Sequence, residues 1–344
     1  MAAVTDIGID LGTASIIVYA KGRGIVMKEP SLVAFDRDAN KIVAFGSEAE
    51  QLLDNPHGNL MAIRPLKEGV ISSYIITEKM LQYYIRRAIG HRYLLKPRIV
   101  VCIPSGVTEV ERRAVEQASY QAGARDVFIV REPVAAAMGA GIDVMRASGS
   151  LIVNVGGGIT EIAVISMADL VVSQTLKEGG DSFDEAIIRY ARDIYGLYID
   201  KTTAEKIKKT VGSVAESDED GNGQPLERIE VQGRDIDAGF PRRVSFTQAQ
   251  VREALSDPFR RIVDGIRSVI ERTPPDLTGD IAERGIVLTG GGAMVSGLRK
   301  AVQKSTGIRT ILAENPETAC AEGTGLYIAN MASLEPARAG FFRR

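Results

Sequence analysis

Asp10-Leu-Gly-Thr-Ala-Ser15 and Asn154-Val-Gly-Gly-Gly-Ile-Thr160 are two glycine-rich turns set in matching surroundings. Each follows a short apolar run, at 7–9 and 151–153, and each precedes another, at 16–20 and 162–165. Both therefore read as hairpin tips between two strands. Glycine lets a backbone come close to a ligand, and successive N–H groups cradle phosphate oxygens. A third turn, Gly290-Gly-Gly292, follows the apolar run at 285–289. Matched turns of this kind imply a duplicated α/β fold that grips a polyphosphate from both sides.

The rest of the composition fits. A chain of 344 residues, 45% apolar and 25% charged, is long enough for two domains with sizeable cores. Its net charge of -2, from 42 basic residues interspersed with 44 acidic ones, gives no basis for a nucleic-acid partner. Cys102 and Cys320 are the only cysteines, and their separation suggests neither a disulfide framework nor zinc spacing. No signal-peptide layout and no apolar run of about 18 residues is found, so neither secretion nor membrane spanning is expected.

Along the chain, three strands at the start give way to an amphipathic helix at 77–89, marked by Met80, Leu81, Tyr84, Ile85 and Ala88. A continuous apolar run at 99–103 reads as a buried parallel strand. Thr108 and Glu111 form a capping box that opens a helix to Gln121. A strand at 126–130 and a helix at 133–140 follow. The second half repeats the plan: hairpin strands at 151–172, a helix capped by Asp181, a short helix at 204–211, and a long helix opened by the Thr247/Gln250 capping box and stopped by Pro274 and Pro275. A strand ending at Gly290 and a helix at 295–304 complete the second unit. The acidic, glycine-rich stretch at 216–225 reads as a surface loop.

Polar residues on these turns carry the chemistry. Asp10 ends the first strand, where a carboxylate holds Mg²⁺ through water, unless it merely caps the turn. Asn154 takes the equivalent slot but brings no negative charge, so cation affinity is expected to be lower than with two aspartates. Glu132 stands at a strand-to-helix junction, where it either orients a water toward a terminal phosphate or simply favours the helix dipole.

Several further strings join these turns: Arg64-Pro-Leu-Lys-Glu-Gly-Val-Ile71, Pro104-Ser-Gly-Val-Thr-Glu-Val-Glu-Arg-Arg113, Glu132-Pro-Val-Ala-Ala-Ala137, Gly179-Gly-Asp181, Thr203-Ala-Glu-Lys-Ile-Lys208 and Gly285-Ile-Val-Leu-Thr-Gly-Gly-Gly-Ala293. Together they closely resemble the MreB family of bacterial actins, from about Asp6 to Met331. The resemblance implies an actin-like α/β fold: duplicated ribonuclease-H-like domains with a nucleotide cleft between them. Domain I would span 1–147 and 321–344, with a small subdomain at about 33–64, and domain II 148–320, with one at about 181–244. Gly12, Thr13, Ala14 and Ser15 would meet the phosphates of ATP from one side, and Gly156, Gly157 and Gly158 from the other. Glu205 and Lys208 would lie near ribose and adenine, and Gly290, Gly291, Gly292 and Ala293 would bracket the adenosine. Glu132 and Thr160 would be the catalytic pair, with Asp10 and the Asn154 position at Mg²⁺.

The same resemblance implies a weak ATPase coupled to self-assembly into filaments, paired antiparallel, on the inner face of the cell membrane. Its partners would be the cell-wall elongation machinery, including a RodZ-type anchor and MreC/MreD-type proteins, and its task rod shape. Leu94 and Leu95, in a basic loop with Arg92, Lys96 and Arg98, would insert into lipid; the alternative is packing on the adjacent helix. The chain departs from the family motif Asp-Ile-Gly-Gly-Gly-Thr-Thr-Glu at Asn154 and Ile159, which points to slow hydrolysis. A small-molecule kinase or a chaperone-like ATPase of the same superfold is the alternative.

Overall fold

The computed structural model describes residues 6–54, 58–90, 96–215 and 228–339. Leu94, Leu95 and the acidic stretch at 216–225 lie outside them. The first half runs β1 (Ile7–Leu11), β2 (Ser15–Ala20), β3 (Gly24–Pro30), β4 (Val33–Asp36), β5 (Lys41–Phe45), α1 (Gly46–Asp54), β6 (Leu60–Ile63), β7 (Leu66–Lys67), β8 (Val70–Ile71), α2 (Tyr74–Ile89), β9 (Arg98–Ile103), α3 (Glu109–Gln121), β10 (Asp126–Arg131) and α4 (Glu132–Gly139). The second continues with β11 (Ser150–Val155), β12 (Thr160–Ser166), β13 (Asp169–Leu176), α5 (Gly180–Tyr195), β14 (Leu197–Tyr198), α6 (Lys201–Val211), β15 (Arg228–Asp235), β16 (Pro241–Thr247), α7 (Gln248–Arg272), α8 (Pro275–Arg284), β17 (Ile286–Thr289), a 3₁₀ turn (Gly291–Met294), α9 (Leu298–Thr306), β18 (Thr310–Leu312) and α10 (Ala319–Ala339).

Two five-stranded sheets have the same design. Their orders are β10-β9-β1-β2-β3 and β13-β12-β11-β17-β18. In each, an antiparallel meander is extended on the side of its first strand by two parallel strands. The central strands are mostly apolar because both faces are covered, as in the fully buried Ser150–Val155 run, with polar residues such as Asp10 and Asn154 near their ends. The outer strand β13 instead alternates between exposed and half-buried residues. Small three-stranded sheets, β5-β4-β6 and β14-β15-β16, attach to the two halves.

Both capping boxes form, Thr108 with Glu111 at α3 and Thr247 with Gln250 at α7. Four expectations need correction. Asp181 does not cap α5: the cap is Gly179, whose N–H donates to the Ser182 hydroxyl, and Asp181 instead pairs with Lys201 and Arg64. Helix α2 starts at Tyr74, one turn before Thr77, whose hydroxyl folds back onto the Ser73 carbonyl. Pro275 opens a helix as well as following one, since proline suits a first helical turn. Helix α9 starts at Leu298 because the 3₁₀ turn uses the residues just before it.

One apolar cluster fills each half, and a third joins them, with Val130, Ala135, Ala136, Ile152, Ala163 and Ile165 among its members. Helix α10 returns to the first half, packing along α4 and across β1 and β9. The joint therefore lies directly under the ends of β1 and β11, where the glycine turns emerge.

Candidate nucleotide site

The two turns have the same internal bond. Gly12 N–H donates to the Ser15 carbonyl at 3.1 Å, and Gly156 N–H to the Ile159 carbonyl at 2.9 Å. Each closes a four-residue loop between paired strand residues, Leu11 with Ile16 and Val155 with Thr160. The loops face each other so closely that a Cβ on Gly157 would lie 2.4 Å from the Ala14 Cβ, and one on Gly158 2.6 Å from the Thr13 Cγ2. Only glycine permits that approach. The second loop is also tied to the start of α5, since Gly180 and Asp181 N–H donate to the Gly156 and Gly157 carbonyls at 3.0 and 2.7 Å.

Between the halves lies a cleft of about 1220 Å³. Its walls include Gly12 to Ser15, Gly156 to Ile159, Glu205 and Lys208 of α6, and Gly290 to Gly292. Lys208 is held in place by a 2.8 Å ion pair with Asp184, and its ammonium also donates to the Gly180 carbonyl at 3.0 Å. Burial pushes the Asp184 carboxyl up to about 6, against the pull of Lys208. Across the mouth, Arg64 meets Asp181 at 3.5 Å and Glu68 meets Lys177 at 2.8 Å. Such exposed pairs contribute about 0–1 kcal/mol each, so they hold the two sides together only weakly.

Three carboxylates share the floor. The Glu132 Oε1 accepts from the Asn154 side-chain amide at 2.5 Å, and the Asn154 Oδ1 accepts from the Thr289 hydroxyl at 3.1 Å. Glu161, fully buried on β12, accepts from the backbone N–H and hydroxyl of Ser105, across the joint from β9. Its second oxygen meets no donor among the described residues, and Glu132 stands within hydrogen-bond range of the Glu161 carboxyl group. Burial first, then the charge of Glu161, pushes Asp10 up to about 7. Burial and the neighbouring Glu161 and Asp10 push Glu132 well above the carboxylate range, and burial raises Glu161 as well. A proton held between Glu132 and Glu161 satisfies both.

This arrangement has a pH consequence. Carboxyls raised in the folded chain retain protons that the unfolded chain releases from about pH 4 upward, so stability is lost as pH rises toward about 7. Nucleotide-free protein is expected to be less stable at about pH 8 than at about pH 5, by on the order of a few kcal/mol, and so to melt at a lower temperature. Glu161→Gln should flatten that slope; a melting temperature that rises over the interval would contradict it.

The oxygen-rich floor suits a hard cation such as Mg²⁺, which takes one or two carboxylates along with phosphate oxygens and water. Asp10 lines the cleft and is the best placed to hold it. Asn154 lines it too, but both ends of its amide already have protein partners. Thr160 is fully buried and its hydroxyl donates to the Glu178 carbonyl at 2.8 Å, so among the expected residues it is turned away from the cleft. Ala293 is buried beside the third turn, where Met294 reaches the cleft instead. Ile159 lines the cleft and packs over Gly69 of the β7–β8 turn.

Glu161 is the site residue that sequence reasoning passed over. The signal was available: a carboxylate immediately before the apolar run Ile162 to Ile165, just after a glycine turn. The cysteines also differ from expectation. Sulfurs distant in sequence lie within 4.8 Å of each other and of the Asp10 carboxylate, because β9 pairs beside β1 while α10 returns over both.

Twin meanders related by duplication, with opposed glycine loops over an acidic floor, define an actin-like protein built around a nucleotide cleft. The family described as "MreB/Mbl protein" matches residues 4–336, and the chain belongs to that family. It is 45% identical over 325 residues to the cell shape-determining protein MreB of Escherichia coli (strain K12), covering 93% of this chain and 92% of that one. The crystal structure of MreB 5 of Spiroplasma citri bound to AMPPNP superposes with a TM-score of 0.89 at 33% identity, covering 97% of this chain and 98% of that one. The MamK double helical filament shares the fold, with a TM-score of 0.78 at 20% identity, covering 94% and 98%.

Proposed function

We propose that this chain is an ATP-dependent cytoskeletal filament protein that acts in bacterial cell shape. The observation that carries the reading is the pair of opposed glycine loops with identical turn bonds over the acidic floor. A relative at 33% identity is bound to AMPPNP, and curated relatives at 42–45% identity are cell shape-determining proteins. Backbone N–H groups of Thr13 to Ser15 and of Gly157 and Gly158 hold the phosphates, while the Gly12 and Gly156 N–H groups close the two turns, Glu205 and Lys208 face the ribose and base, and Gly290 to Gly292 border the adenosine. Asp10 holds Mg²⁺, which when bound neutralises phosphate charge.

Nucleotide bridges two sides that are otherwise joined at the mouth by weak exposed pairs, so it biases the cleft toward closure. Closed subunits then stack head to tail; contacts of that kind that do not close on themselves build filaments. A protein of this fold, MamK, forms a double helical filament. The filaments would lie on the inner face of the membrane, anchored by Leu94 and Leu95, as antiparallel pairs that guide wall-elongation proteins of the RodZ, MreC and MreD types. Two leucines bind lipid only marginally alone, and a filament multiplies them. No helix among the described residues is long and apolar enough to cross a membrane.

Hydrolysis is slow. Glu132 is the group that would orient the attacking water, yet the Asn154 amide already occupies one of its oxygens, and Ile159 places an alkyl group at the phosphate loop where the family has a hydroxyl. Asn154→Asp combined with Ile159→Thr should raise the single-turnover rate about tenfold or more, equivalent to about 1.4 kcal/mol off the barrier. An unchanged rate would refute the assignment. The overall reading is tested by sedimenting the protein over anionic lipid vesicles with ATP, ADP or no nucleotide and imaging the pellet. ATP-dependent filaments on vesicles are expected; a nucleotide-bound monomer in every condition would turn the reading toward a small-molecule kinase.

A further inference from the structure

The two halves are equivalent at the floor of the cleft, and the equivalence exposes an unusual pair of thiols. In the second half, Asn154 of β11 stands in parallel register with Thr289 of β17, and the Thr289 hydroxyl donates to the Asn154 amide oxygen. In the first half the same two positions are Asp10 of β1 and Cys102 of β9. A carboxylate thus replaces an amide, and a thiol replaces a hydroxyl. Cys320, the second residue of α10, is brought against this pair from above. The side-chain ligand atoms of Asp10, Cys102 and Cys320 all lie within 4.8 Å of one another.

We propose that Asp10, Cys102 and Cys320 form a binding site for a thiophilic divalent cation of the zinc type at the base of the nucleotide cleft. Two sulfurs and one carboxylate oxygen make a three-ligand set of the kind zinc accepts, leaving a fourth position for water or another oxygen. The ion has a path in, since Asp10 and Cys320 both line the cleft while Cys102 is closed behind them at 1% exposure. The surroundings are electrostatically suited to it. Glu132 and Glu161 lie close enough to act on the Cys102 sulfur, so the pocket draws cations. Without one, burial first pushes the Cys102 thiol up to about 12, and the contact with Cys102 together with burial pushes the Cys320 thiol well above its usual range, so the cation has to displace both protons. Binding replaces the two thiol protons with metal–sulfur bonds and releases both protons to solvent. It also takes the Asp10 oxygen away from a Mg²⁺ ion, and Mg²⁺ competes poorly for sulfur ligands.

The sequence makes the test clean, because the chain holds no cysteine other than these two. Untagged, nucleotide-free protein is titrated with Zn²⁺ and, separately, with Co²⁺. One equivalent of each is expected to bind, with a thiolate-to-cobalt charge-transfer band in the near ultraviolet. X-ray absorption at the zinc edge of the unaltered protein should then show two sulfur neighbours at about 2.3 Å. Cys320→Val should lose the band and weaken Zn²⁺ binding by about 100-fold or more, whereas Asp10→Asn should keep the band with weaker binding. The proposal is overturned by failure to bind either metal, by a zinc shell of nitrogen and oxygen alone, or by a band that survives in Cys320→Val. The zinc-edge measurement needs no variant and so does not depend on any substitution folding. Because the titration contains no nucleotide and no lipid, its outcome is independent of the filament reading.

Discussion

Gly157→Val is expected to abolish tight ATP binding while leaving the nucleotide-free protein folded. A Cβ at this position would lie 2.4 Å from the Ala14 Cβ and 3.4 Å from the Ala14 Cα and backbone nitrogen, so no rotamer change relieves it. The two phosphate loops must move apart, and the N–H groups that converge on the phosphates from both sides no longer do so. Loss of one side of the cradle should weaken affinity by about 100-fold or more, or about 2.7 kcal/mol. Calorimetric titration with ATP and Mg²⁺ measures the loss directly. Thermal melts add an independent reading, since saturating nucleotide should raise the midpoint of the unaltered protein but not of the variant. Gly156→Ala is the graded comparison. A Cβ there meets only the Ile159 carbonyl, at 3.1 Å, so its cost should be much smaller. Equal losses in the two variants would show that the facing loops are not what sets the affinity.

The features legible in the sequence are those whose cause is local. An apolar run, a glycine turn and a second apolar run make a hairpin by themselves, and the two turns therefore revealed the duplication before any contact was known. The capping boxes at Thr108 and Thr247 are equally local. The strands of the small sheet in the second half are not legible because they are short or carry many charges. Arg228–Asp235 and Pro241–Thr247 bury little beyond Ile229, Val231 and Phe246, and only their mutual pairing makes them strands. At the site, Asp10 and Glu132 could be picked out from their places at strand ends, but their partners could not. The Glu132–Asn154 bond, the Ser105–Glu161 bond across the joint and the meeting of Cys102 with Cys320 each span tens to hundreds of residues, and all depend on how the two sheets and α10 converge. Thr160 illustrates the converse. Its place beside the glycine turn is obvious from the sequence, but strand alternation turns its hydroxyl to the Glu178 carbonyl and gives the cleft to Ile159.

Gly323→Val should be the most destabilising single change at the joint between the halves. Helices α4 and α10 touch backbone to backbone there: a Cβ on Gly323 would sit 1.8 Å from the Ala135 carbonyl oxygen, and a Cβ on Gly139 1.8 Å from the Ala319 carbonyl oxygen. Valine at 323 forces the helices apart and opens the cluster that contains Ala135, Ala136 and Ile152. Overpacking in a core costs about 1–3 kcal/mol when neighbours can yield. Here the neighbour is main chain on both sides, so about 3 kcal/mol or more is expected. For a protein of this size that is a fall in melting temperature of roughly 4 °C. Gly279→Ala is the control, since this glycine lies within α8 with no atom near its would-be Cβ, and alanine there should be neutral or stabilise by up to about 1 kcal/mol. The loss at Gly323 should extend to chemistry, because α4 begins at Glu132 and α10 carries Cys320 into the cleft. Residual ATP turnover should therefore fall further in Gly323→Val than the folded fraction does. If turnover simply tracks the folded fraction, the helix pair supports the fold without setting the position of Glu132.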